Sequence, residues 1–186
     1  MGLIKAAIKS VGGVFADQWK EYFTCDALSS DELVKKGEKH NSKRSVNTKG
    51  SDNVISNGSG IVVADGQCMM IVDSGKIVEF SAEPGEYTYD SSSEPSVFYG
   101  GFGKGLLDSF KAMGRRIGYG ADEARDQRVY YFNTKEILDN KFGTPNPVPF
   151  RLVDKRIDLD IDVSVRCAGV YSYRISDPMK FYKSIA

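Results

Sequence analysis

Apolar positions follow different rhythms along the chain. At the N-terminus, Leu3, Ile4, Ala7, Ile8, Val11, Val14, Phe15, Trp19 and Tyr22 share one sector of a helical wheel, about 160° wide. Lys5, Lys9 and Lys20 lie opposite, with Asp17 near their border. This predicts an amphipathic helix over residues 2–22. Gly12 and Gly13 each weaken it by about 1 kcal/mol relative to Ala, so it should form where its apolar face is buried. The pattern allows two destinations. One is a protein core, the commoner fate of such helices. The other is a membrane interface, where lysines meet acidic headgroups and Trp19 sits at the boundary.

Residues 24–58 are mostly polar and predict a linker or long loop. A short helix can start at Ser29 or Ser30, with Asp31 and Glu32 in its first turn. Strand signals then dominate. "GIVVAD" and "QCMMIVD" are apolar runs split by Asp65-Gly66, and Ser74-Gly75 leads into "KIVEF", which predicts two hairpin-type connections. Pro84-Gly85 makes a further turn before the strand "EYTYD", and residues 91–101 read as a loop. Leu106, Leu107, Phe110, Met113 and Ile117 then share a helical face.

"QRVYYFNTKEIL" reads as a strand and a turn. "KFGTPNPVPF" carries three prolines, excludes a helix or central strand, and predicts an extended loop. The clearest alternation is in "RIDLDIDVSVRCAGVYSYRI". Ile157, Leu159, Ile161, Val163, Val165 and Cys167 alternate with Asp158, Asp160, Asp162, Ser164, Arg166 and Ala168. This predicts a β ribbon with one buried and one wet face, bent or bulged at Gly169 because about 60 Å of unbroken strand would be unusual. At the end, Asp177 suits an N-cap and Pro178 the first helical position. Met179, Phe181, Tyr182 and Ile185 open an apolar stripe that stops after barely two turns, which suggests a truncated chain.

Composition adds exclusions. With 25 basic and 25 acidic residues in 186, the chain lacks the basic excess of a dedicated nucleic-acid binder. Cys25, Cys68 and Cys167 are too few and too scattered for a disulfide framework or zinc site, and the latter two read as small core residues in a reduced, cytosolic setting. No run of about 18 apolar residues is present, and no secretory signal.

Candidate chemistry is sparse. His40, the single histidine, stands in a polar stretch without partners and reads as a surface residue. The glycines of "GGFGKGLLDSF" lack the phosphate-loop ending. Asp158, Asp160 and Asp162 lie about 7 Å apart along one strand face, too far for one cation to reach all three. They read as exposed acids that discourage edge pairing. No catalytic residue, metal site or cofactor site is predicted.

Several phrases together resemble the SPFH (Band 7) family of stomatin, prohibitin and flotillin. "GQCMMIVDSGKIVEFSAEPGEYTY" is similar to its opening strands, and "DVSVRCAGVYSYRISDPMKFYKSI" to its alternating strand, tyrosine-rich strand and Asp-Pro helix start. "VYYFNTKEILDNKFGTPNPVPFRLVD" resembles the bacterial branch often labelled virion-core-like. The resemblance covers about residues 55–186, and the N-terminal helix in position and character.

It implies an α+β, SPFH-type domain at residues 59–186. That domain would be a mainly antiparallel twisted sheet with packed helices, incomplete at its C-terminus. A membrane-surface helix at 1–23 and a linker at 24–58 would precede it. The implied function is a non-catalytic scaffold, peripheral to the cytoplasmic face of a bacterial membrane. It would self-assemble and organise membrane or membrane-stress proteins. Leu3, Ile4, Lys5, Ile8, Lys9, Val11, Val14, Phe15, Trp19 and Lys20 would then contact an anionic lipid surface. The alternative is a soluble interaction module whose N-terminal helix packs on its own domain or on a neighbouring subunit.

Overall fold

A computed structural model describes residues 2–5, 21–41, 53–92, 97–98 and 126–185. The chain divides into two units, residues 1–135 with 175–186, and residues 136–174.

The first unit holds two five-stranded sheets. One is ordered β1 (Gly2–Lys5), β8 (Gly85–Asp90), β5 (Gly60–Val63), β2 (Glu21–Thr24), β4 (Glu38–Asn41). The other is ordered β3 (Val34–Lys36), β10 (Gln127–Asn133), β6 (Gln67–Asp73), β7 (Lys76–Ser81), β9 (Val97–Phe98). Neighbours run antiparallel except β2 with β5 and β7 with β9. Leu3, Phe23, Ile61, Val63, Tyr87 and Tyr89 of the first sheet share one core with Met69, Ile71, Val78, Val129 and Tyr131 of the second.

The second sheet is also covered on its far face. Cys68, Met70, Val72, Ile77, Phe80 and Phe132 pack there with Ile175 and Met179. Met179 belongs to the helix α1 (Pro178–Ile185). Strand β6 is therefore buried on both faces, which explains its unbroken apolar run. In β7 the register shifts opposite Ile71 and Val72, so Ile77 and Phe80 reach the same core despite their odd spacing. At the helix start, Asp177 Oδ1 accepts from the backbone N–H of Met179 at 3.1 Å and of Lys180 at 3.0 Å, as the cap reading expected.

Several expectations are corrected. Residues 2–5 are a strand paired with β8, and residues 21–24 a strand of the same sheet, so a helix spanning 2–22 does not form at either end. The pairing gives Leu3 a place in the inter-sheet core that a lone helix face could not match. The rest of that expected helix, and the helix expected around 106–117, lie outside the described residues. Among the described residues, the expected linker 24–58 starts at the last residue of β2 and holds β3 and β4, one in each sheet. The helix expected from Ser29 or Ser30 is a turn instead: Glu32 N–H donates to Ser29 O at 3.2 Å, the Ser29 hydroxyl donates to Asp31 and Glu32, and the chain continues into β3.

Of the hairpins expected between 60 and 81, only β6–β7 exists. Its turn uses left-handed Ser74 (φ 50°) and Gly75 (φ 79°), the combination that matches strand twist. Asp65-Gly66 instead carries the chain from one sheet to the other, because β5 pairs with β8 and β2.

The second unit is a β ribbon. Strands β11 (Ile137–Gly143) and β14 (Ala168–Tyr173) pair, and β12 (Val148–Asp154) and β13 (Leu159–Val165) pair within them. The "KFGTPNPVPF" segment is thus mostly strand, with its irregular part confined to residues 144–147. Pro149 is tolerated because β12 pairs on one side only, among the described residues.

Candidate functional site

The ribbon sorts its side chains by chemistry. In β12–β13, Val148 stands opposite Val165, Phe150 opposite Val163 and Leu152 opposite Ile161. Residues directly opposite share a face, so these six form one apolar surface. The other face sets Pro149 opposite Ser164, Arg151 opposite Asp162 and Val153 opposite Asp160. Arg151 grips Asp160 diagonally through two hydrogen bonds of 2.8 and 2.6 Å. The Asp160 carboxyl is held below the usual carboxylate range by the Arg151 guanidinium.

The apolar surface is uncovered. Phe150 is 56% exposed and Leu152 42%, and Val148, Ile161 and Val165 are exposed as well. The expectation of one buried face in this ribbon is therefore corrected: its alternation is real, but the described residues place nothing over the apolar side. The same holds for Cys167, expected in a core and found exposed. Contiguous exposed apolar patches are rare on soluble monomers and mark contact surfaces.

Between the two strand pairs, residues 144–147 stand against residues 166 and 167, so one side carries two extra residues. Thr144 bridges the step: its N–H donates to Cys167 O at 3.0 Å, and its hydroxyl accepts from Cys167 N–H at 3.1 Å. The expected irregularity at Gly169 is here instead. Gly169 lies within β14 under the Phe142 ring, where a Cβ would come within 2.5 Å of the ring. Phe142, Tyr171 and Tyr173 form an aromatic row with centroids 6.3 and 6.0 Å apart.

At the tip, Asp154 Oδ1 accepts from Arg156 N–H at 2.9 Å, and Asp158 takes a left-handed φ of 52°. Asp158 is thus a turn residue, while Asp160 and Asp162 lie on β13. Among the described residues no three His, Cys, Asp or Glu side chains group as for a metal ion.

The residues expected to meet lipid separate. Leu3 is buried in the inter-sheet core, so its assignment to lipid is corrected. Lys5 extends to Glu83, 2.8 Å away, rather than standing free for headgroups. Ile4 is exposed. Ile8, Lys9, Val11, Val14, Phe15, Trp19 and Lys20 lie outside the described residues. No described helix is long and apolar enough to cross a membrane. His40, expected on the surface, is half-buried and stacks on Tyr22, centroids 5.0 Å apart.

The Val148, Phe150 and Leu152 half of the apolar surface escaped the sequence reading. Its signal was the two-residue spacing itself, hidden by interleaved prolines.

One family model, described as SPFH domain-Band 7 family, matches residues 48–186. No curated protein and no solved structure gives a match.

Proposed function

Because the chain belongs to the SPFH domain-Band 7 family, we propose that it is a non-catalytic scaffold at the cytoplasmic face of a membrane, assembling with its own copies and organising membrane or membrane-stress proteins. Members of this family typically associate with membranes and oligomerise. The observation that carries the reading is the uncovered apolar face of β12–β13. A surface of this kind gains by being covered, at about 25 cal/mol per Å² of apolar area.

Lipid contact in this proposal belongs to Ile8, Val11, Val14, Phe15 and Trp19, with Lys9 and Lys20 toward headgroups. The strands bracketing residues 6–20, β1 and β2, belong to one sheet. Burial of Leu3 and the Lys5–Glu83 pair favour the second reading, a soluble module whose N-terminal segment stays with its own domain.

Vesicle flotation tests the proposal. The full chain should float with anionic vesicles, and Phe15→Ser with Trp19→Ser should abolish it. Trp19, the single tryptophan, should shift to the blue only when lipid is added. A blue-shifted, quencher-protected Trp19 without lipid decides for the soluble module. Cross-linking on vesicles should yield oligomers that Phe150→Ser with Leu152→Ser reduces.

A further inference from the structure

Each strand of the ribbon pairs with one other among the described residues, so each keeps one free edge. Three of the four carry a device that discourages added strands. β11 is bent by a bulge at left-handed Asp139 and carries Lys141. β12 lacks a donor at Pro149 and carries Arg151. β13 interposes Asp160 and Asp162. β14 has none of these: its six residues, Ala-Gly-Val-Tyr-Ser-Tyr, include no charge and no proline. Val170 is 61% exposed and Tyr171 52%. An uncharged free edge without proline is a template for pairing with another chain.

We infer that β14 accepts the β14 strand of a second copy, antiparallel about a two-fold axis. This deepens the scaffold reading and rests on it. Charge selects the partner. Paired with itself, β14 sets no like charges opposite one another, whereas self-paired β13 would bring two rows of aspartates together. A two-fold pairing centred on Tyr171 sets that ring opposite its own copy, a favourable aromatic pair, and Val170 opposite Ser172 of the second copy. The edge spans about 20 Å. One strand edge of that length buries less than the about 800 Å² per partner typical of stable complexes. The pair is therefore weak in dilute solution and fills when many copies are held on one surface.

Amide hydrogen exchange and sedimentation velocity on the full chain, over a concentration series, test this. Amides of residues 168–173 should slow as dimer appears. Val170→Lys, which adds an edge charge, should weaken dimerisation about tenfold or more. Its circular dichroism should stay unchanged. The unsubstituted protein's exchange pattern decides the matter even if that variant folds poorly. Protection of β14 that is present at the lowest concentration and independent of it means that the chain's own residues cover the edge, which overturns the inference. Self-association that resists Val170→Lys but is lost in Phe150→Ser with Leu152→Ser moves the contact to the apolar face, overturning the inference while the scaffold reading stands. Absence of self-association in solution and on vesicles overturns both.

Discussion

Lys39 Nζ lies 2.9 Å from a carboxylate oxygen of Glu21, with both side chains almost withdrawn from water. The pair joins β2 to β4, and Glu21 also accepts from the Ser59 hydroxyl and from Ser56 N–H at 2.7 Å. Lys39 donates in turn to Val54 O at 3.1 Å. Burial alone would raise the Glu21 pKa, but hydrogen bonds from Ser59, Lys39 and Ser56 outweigh it and hold the group below its ordinary value of 4.5. The folded state therefore favours the ionised carboxylate. Its contribution is complete above the ordinary carboxylate pKa and disappears as pH falls through the lower folded value. Glu21→Gln should cost about 2 kcal/mol near neutral pH, the scale of a hydrogen bond to a charged group. It should also flatten the acid limb of stability against pH, measured by urea unfolding at pH 3 to 7.

The helix α1 is held by its cap and by Met179, Phe181 and Tyr182, which pack on the second sheet. Met179 is fully buried under the second sheet, and Asp177 caps the helix. Met179→Ala should destabilise by about 2–5 kcal/mol. Asp177→Ala should cost about 1 kcal/mol. The two changes act on one element and should not add, which a double-mutant cycle in urea will show.

Gly75 isolates the backbone cost of a turn. Its φ is 79° and a Cβ there would meet nothing within 4 Å. Gly75→Ala should therefore cost about 1–2 kcal/mol from left-handed strain alone. Thermal melts of Gly75→Ala and Gly75→Asn will separate strain from packing, because Asn tolerates that conformation better.

The thiols should divide by burial. Burial pushes the Cys25 and Cys68 thiols up, Cys68 much further, while Cys167 stands exposed on the ribbon. A thiol-reactive dye should label one cysteine per native chain quickly and all three in denaturant. Cys167→Ser should remove the fast phase without changing stability.

Local chemistry alone was enough for features set by nearest neighbours. The Asp177 cap and the Ser74-Gly75 turn depend on residues a few positions apart, and each forms as read; the alternation read from Ile157 onward gives the two faces of β13, but not the buried face or the bend at Gly169. The Band 7 resemblance is likewise carried by phrases of sequence, and the family match covers residues 48–186.

Pairing was decided only in three dimensions. Leu3 and Tyr22 fit one helical face on a wheel. Leu3 instead gains a strand partner in Tyr89 and a seat in a core supplied by β5, β6 and β10. No periodicity within residues 2–22 contains those distant groups. Strand β5 likewise bypasses its sequence neighbour β6 for β8, because an inner face must be built from both sheets. On the ribbon, alternation established two faces but not what covers them. Burial belongs to whatever surface comes opposite, and that surface is not encoded in the strand's own residues.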